Sequence, residues 1–139
     1  MKKLALIFVS VFTIGFTSCS SDDKVTEASF EGKWEYSQQG TVIAGQEVLT
    51  VYPHTQGCPK DYLQINATTS VDHKFTTDEC LEDTTTRTYT RSGNTISTTA
   101  AGQTITGEIV NLTATTLKLK TSQTVQGQTL SYIVVYTRA

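Results

Sequence analysis

The sequence predicts an all-β domain that closes into a small antiparallel up-and-down barrel of eight or nine strands. Threonine is abundant from Thr26 to Thr137, and beyond the first eighteen residues no segment repeats apolar residues at the three-and-four spacing of a helix. Turn-forming Gly, Pro, Asn and Asp recur about every eight to twelve residues. A meander of this size removes its exposed strand edges most simply by closing on itself.

Nine candidate strands lie between these turn signals. Alternation of apolar residues supports several of them, and Val71, His73 and Phe75 are expected to share one face of their strand. The strands are predicted at 33–39, 46–52, 61–66, 71–76, 85–91, 95–100, 104–111, 117–121 and 129–138.

The first eighteen residues read as an export signal that precedes the domain. Lys2 and Lys3 come before an apolar run at 4–16, which is too short for a permanent membrane span. The segment 16–19 (Phe-Thr-Ser-Cys) resembles the bacterial lipobox, in which small residues precede a cysteine that is lipidated and becomes the first residue after cleavage. The alternative is an ordinary secretory signal with an incidental cysteine. We therefore expect a lipoprotein signal peptide at 1–18 and acyl chains such as palmitate on Cys19.

A polar segment separates this anchor from the domain. Residues 19–29 are predicted to form the lipidated cysteine and a flexible tether, and residues 30–139 the barrel. Asp22 and Asp23 resemble the surface-export signals of some Gram-negative lipoproteins, although a solvated linker explains them equally well. The expected location is the outer membrane, where the lipid anchors the chain and the domain faces the periplasm or the cell surface.

Length and charge limit the partners. The chain after the signal peptide is long enough for one closed core but leaves no room for a second domain. The formal net charge is −2 at pH 7, and loss of Lys2 and Lys3 makes it more negative. No basic stripe is present, so nucleic acid is not an expected partner. We expect a monomer that is held at the membrane by its lipid.

Two of the three cysteines remain for the folded domain. Cys58 and Cys80 would be exported into an oxidising compartment, which predicts a disulfide worth about 3 kcal/mol. A reactive thiol or a zinc pair is the alternative, and zinc would need further ligands where the chain offers only His54 and His73. No metal site and no cofactor are expected.

Several short motifs resemble those of a known family. Gly32-Lys33-Trp34 resembles the Gly-x-Trp that opens the lipocalin and calycin barrels, and Tyr136-Thr137-Arg138 ends the last predicted strand. Together with the cysteine pair and the segment 107–119 (Gly-Glu-Ile-Val-Asn-Leu-Thr-Ala-Thr-Thr-Leu-Lys-Leu), the pattern is similar to short lipocalin-like domains of bacterial lipoproteins. The resemblance implies a lipocalin-like barrel in which Trp34 closes one end and Arg138 packs over it.

Aromatic residues predicted to face the barrel interior are the candidates for ligand contacts. An eight-stranded barrel either fills its interior with side chains or leaves room for one small ligand. The resemblance implies a non-enzymatic binding protein whose ligand is a small apolar or amphipathic molecule. The candidate contact residues are Tyr36, Phe75, Tyr89, Tyr132 and Tyr136.

The loop at 52–60 supports a different hypothesis. Pro53 and Pro59 stiffen it, and a disulfide at Cys58 would hold it, as expected for a loop that recognises a protein. The alternative function is therefore that of a protein-interaction or hydrolase-inhibitor lipoprotein, unless the prolines only shape a crossing between strands. No catalytic residues are predicted, because neither histidine has a nucleophile or an acid at a suggestive spacing.

Overall fold

The computed structural model describes residues 28–100 and 102–139, and every regular element in these residues is a β-strand. Nine strands lie where the sequence predicts them, although several extend further than expected. Accordingly, none of the described residues forms a helix that could cross a membrane. The signal peptide at 1–18, Cys19 and the tether before residue 28 lie outside the described residues. The strands are β1 (Gly32–Ile43), β2 (Gln46–Val51), β3 (Tyr62–Ile65), β4 (Thr69–Thr76), β5 (Leu81–Ser92), β6 (Thr95–Ala100), β7 (Gln103–Leu112), β8 (Thr116–Val125) and β9 (Gln128–Arg138).

The sheet closes on itself as the predicted antiparallel barrel. Eight strands follow one another in the order β1-β3-β4-β5-β6-β7-β8-β9, and β9 pairs back onto β1. The turns that follow β1, β4, β6 and β8 lie at one end, which we call the mouth. The turns that follow β3, β5 and β7 lie at the other end, the base, together with both ends of the described chain.

The ninth strand, β2, shares one side of β1 with β3. It pairs with β1 from Gln38 to Ile43, whereas β3 pairs with β1 only from Gly32 to Glu35. The strands β2 and β3 therefore lie end to end along the same edge of β1. The connection at 52–61 spans the interval between them, so the loop is part of the barrel wall.

Gly40 allows β2 to approach β1 closely. A Cβ atom at this position would lie 1.9 Å from the carbonyl oxygen of Val48, so any other residue would displace β2.

An ion pair between Lys118 and Glu47 joins β8 to β2, although β9 and β1 stand between these strands in the sheet. The sheet must therefore coil strongly at this point.

The base of the barrel is closed by Trp34 and Arg138. The Trp34 side chain is fully buried, and its Nε1 donates a hydrogen bond to the carbonyl oxygen of Phe30 at 2.9 Å. The Arg138 guanidinium lies 3.7 Å from the centroid of the Trp34 ring and donates hydrogen bonds to the carbonyl oxygens of Glu31 and Ser29. This arginine therefore joins the last strand to the segment before the first. The buried core around this pair consists of Phe30, Trp34, Tyr36, Tyr52, Leu63, Ile65, Ile109, Leu117 and Tyr136.

Loss of the Arg138 side chain should destabilise the barrel. Arg138→Ala removes a cation–π contact and two hydrogen bonds from a charged donor, and we expect the free energy of unfolding to fall by about 2 kcal/mol. Urea denaturation followed by Trp34 fluorescence measures this change. Lys120→Ala is the control, because it removes only a partly exposed ion pair with Glu108. Equal effects of the two substitutions would show that Arg138 does not hold the base closed.

Candidate functional site

The inner face of the barrel has an apolar part and a polar part. A cavity of about 90 Å³ occupies the apolar part. The usual sites for drug-sized ligands are several times larger than this cavity. The cavity is lined by Phe30, Leu63, Ile65, Ser70, Arg87, Tyr89, Ile96, Thr98 and Leu119.

The polar part lies along β4. Asp72 pairs with Leu63 and Ser70 pairs with Ile65, and because both β3 residues face the core, Ser70, Asp72 and Lys74 face inward as well. The sequence pattern had indicated the opposite orientation for this strand. Phe75 alternates with these residues and lies on the outer face, so the expectation that Phe75 contacts an enclosed ligand is wrong.

Tyr36 lies at the centre of the polar part. Its hydroxyl donates a hydrogen bond to Asp72 Oδ1 at 2.9 Å, and its ring lies 4.5 Å from that of Tyr52 and 4.7 Å from that of Tyr136. Burial raises the pKa of the Tyr36 phenol far above its usual value, and the nearby Tyr136 and Asp72 raise it further. Burial raises the pKa of Tyr136 in the same way. Both phenols are therefore neutral and serve as hydrogen-bonding groups.

Lys74 is the cation of this cluster. Its Nζ atom donates a hydrogen bond to the Tyr52 hydroxyl at 3.2 Å and lies 4.9 Å from the centroid of the Tyr36 ring. Burial lowers the pKa of Lys74, but the bond to Tyr52 and the charges of Asp72 and Asp61 raise it above its usual value. Lys74 therefore stays charged. We call Tyr36, Tyr52, Asp61, Asp72 and Lys74 the polar cluster.

Asp61 connects the polar cluster to the edge of β4. This carboxylate is only 5% exposed, accepts a hydrogen bond from the Tyr52 hydroxyl at 2.9 Å, and accepts another from the Phe75 backbone N–H at 2.9 Å. The Phe75 carbonyl oxygen accepts a hydrogen bond from the Thr55 hydroxyl. Phe75 lies beyond the end of β3. The loop at 52–61 therefore supplies the hydrogen-bond partners that a longer β3 would have given to the Phe75 backbone.

The same loop also completes the edge of β1. The Tyr36 N–H donates to the Asp61 carbonyl oxygen, and the Tyr52 N–H donates to the Ser37 carbonyl oxygen. Both ring nitrogens of His54 form hydrogen bonds with the backbone of the wall. Nε2 is hydrogen-bonded to the Tyr36 carbonyl oxygen at 2.9 Å, and Nδ1 accepts a hydrogen bond from the Asp61 N–H at 3.1 Å. The loop is therefore bound along its length to both neighbouring strands.

The predicted disulfide is confirmed. Cys58 in the loop is bonded to Cys80 in the turn between β4 and β5. Because that turn lies at the mouth, the disulfide ties the loop to the rim of the barrel. Within the described residues, no group of His, Cys, Asp and Glu could hold a metal ion.

The mouth carries an exposed apolar patch. Tyr132 is 46% exposed, and Ile43, Val48 and Leu130 are also exposed on the same inner face of the hairpins β1–β2 and β8–β9. An open depression of about 340 Å³ lies there. It is lined by Gln39, Gly40, Thr41, Thr50, Tyr132, Ile133 and Val134.

The sequence-predicted ligand residues are thus dispersed. Tyr36 and Tyr136 belong to the buried core, Tyr89 lines the inner cavity, Tyr132 lies at the mouth and Phe75 lies outside. Sequence reasoning missed the charged residues of the inner face, among them Asp72, Lys74 and Arg87. The signal that could have found them is the alternation in β4. One face of this strand carries polar residues and the other carries apolar residues, and the partners Leu63 and Ile65 decide which face lies inside.

Solved structures share this architecture. A lipocalin-like protein from Bacteroides uniformis matches with a TM-score of 0.55 and 11% identity, over 78% of this chain and 97% of that one. An uncharacterised protein from Bacteroides eggerthii matches with a TM-score of 0.52 and 11% identity, over 80% and 100% of the two chains.

The chain has the lipocalin-like fold. The bovine odorant-binding protein aligns less closely, with a TM-score of 0.46 and 14% identity over 78% of this chain and 72% of that one. No protein-family model matches the sequence, and no curated protein matches it significantly. In this lipocalin-like barrel the Gly-x-Trp motif and Arg138 meet at the base, whereas the polar cluster lies further inside.

The buried phenols predict a loss of stability in alkali. An unfolded tyrosine titrates near pH 10, whereas the pKa values of Tyr36 and Tyr136 are raised in the folded protein. As the pH rises, the unfolded chain therefore releases these protons first. The stabilisation is complete below about pH 10 and declines above it by about 1.4 kcal/mol per pH unit for each phenol.

Urea unfolding between about pH 8 and pH 11.5 measures this decline, which should be shallower in Tyr36→Phe than in the wild type. Tyr132→Phe, which removes a phenol exposed at the mouth, is the matched control. A decline in Tyr36→Phe that equals that of the wild type would contradict this account of the cluster.

Proposed function

We propose that this chain is a non-enzymatic binding lipoprotein that is anchored in the outer membrane by lipid on Cys19 and takes up a small apolar or amphipathic molecule in its barrel. The observation that carries the proposal is the division of the inner face. An apolar cavity adjoins a cluster of neutral phenols and charged groups, which suits a ligand with an apolar part and a polar part. The lipocalin-like fold is compatible with such a role but does not by itself specify it.

The size of the cavity restricts the ligand. A half-open cavity of about 90 Å³ accommodates only a few heavy atoms, so the part of the ligand that it holds is small. The open depression at the mouth offers further apolar surface beside Tyr132. We therefore propose a compact ligand rather than a long lipid chain enclosed along its full length.

The alternative role of the loop at 52–60 in protein recognition has less support. Tyr52, His54 and Thr55 direct their polar atoms to the barrel wall, where each has a hydrogen-bond partner. A loop that inserts into an enzyme would need side chains that are available to the partner. The bonds of this loop favour the structural role.

Native mass spectrometry of the protein purified from its own envelope tests the proposal. We expect a small molecule to co-purify with the wild type and to be absent from Thr98→Leu, in which a larger side chain fills the inner cavity. Thr99→Leu is the matched control, because the neighbouring residue on the same strand is exposed on the outer face. A wild type without any bound mass, which also fails to bind added apolar probes, would exclude the carrier function.

A further inference from the structure

Arg87 occupies a distinctive place in the inner cavity. It lies on β5 opposite Ser70 of β4, and the inward orientation of Ser70 places Arg87 on the inner face as well. The other described residues that line the cavity are apolar or uncharged, so Arg87 supplies its charge. The cavity therefore combines an apolar surface with one cation.

The guanidinium of Arg87 is available to a ligand. Each carboxylate of the polar cluster and Lys74 has a hydrogen-bond partner within that cluster. Arg87, in contrast, makes no hydrogen bond or ion pair with any other described residue, and its side chain is exposed to solvent. An arginine in this state presents a planar fork of donors that matches the two oxygens of a carboxylate.

The polar cluster engages its own cation, whereas Arg87 is the cation that lines the apolar cavity. Tyr36 donates to Asp72, and Lys74 interacts electrostatically with both Asp72 and Asp61, so Lys74 is engaged by the carboxylates of its own cluster. The charge of Arg87 acts on the Tyr136 phenol, where it opposes the effect of burial on the pKa. Its field therefore extends into the barrel.

We propose, on the basis of the binding function proposed above, that the ligand is a small carboxylate whose charged group binds Arg87 and whose compact apolar tail fills the inner cavity. A volume of about 90 Å³ holds about three or four water-sized groups, which corresponds to a tail of about four carbon atoms. Pentanoate has a tail of this length, and pentanamide has the same shape without the charge.

The test compares these two probes by saturation-transfer NMR titration with the protein in nanodiscs of neutral phosphatidylcholine. Pentanoate should bind the wild type at least about 10-fold more tightly than pentanamide, because only the acid forms charge-assisted hydrogen bonds with Arg87. Arg87→Gln should remove this preference while pentanamide binding is retained, which also reports that the cavity is intact. Lys120→Gln, with the same loss of charge on the outer face, should keep the preference.

Each other outcome counts against a defined part of the account. Equal binding of acid and amide by the wild type, or a preference that survives Arg87→Gln, overturns the role of Arg87. A preference that is lost in Lys74→Gln but not in Arg87→Gln places the anion at the polar cluster instead. If neither probe binds but another small molecule co-purifies, the carboxylate proposal fails and the binding function stands. If no small molecule binds, the binding function itself fails.

Discussion

The barrel depends on the way in which the loop at 52–61 closes a gap in its wall. The strand β2 pairs with the upper part of β1 and β3 with the lower part, so no strand covers the edge of β4 at Phe75. Unpaired backbone groups in a wall cost free energy, and here Asp61 and Thr55 pair with those of Phe75. A side chain and a loop thus complete the ladder of hydrogen bonds where the strand ends.

The same closure places the polar cluster inside the barrel. Asp61 completes the wall with a carboxylate that is buried. A hydrogen bond from the Tyr52 hydroxyl and the positive charge of Lys74 offset the cost of burying that carboxylate. Tyr52 in turn stacks on Tyr36, whose hydroxyl binds Asp72. The requirement to seal the wall therefore leads to a polar inner surface beside the apolar cavity, and this division is the basis of the proposed ligand chemistry.

Sequence patterns predicted the fold better than the site. Turn residues and strand propensity are local signals, so the nine strands and the closed barrel could be predicted, as could the pairing of Cys58 with Cys80. The orientation of β4 depends on its register against β3, which is not a local property. The alternation of Val71, His73 and Phe75 alone favours an inward Phe75, whereas the register places Asp72 and Lys74 inside instead.

Native-state hydrogen exchange of Asp61→Ala tests most directly whether the loop completes the wall. We expect the amides of Phe75, Tyr36 and Tyr52 to lose protection by about 10-fold or more, because the substitution removes the carboxylate that holds the loop against β4. Amides of β8 and β9 should keep their protection, as should all amides in the control Glu108→Ala, whose side chain is exposed on the outer face of β7. Unchanged protection of Phe75 in Asp61→Ala would contradict the account, since the loop would then not be what seals the barrel.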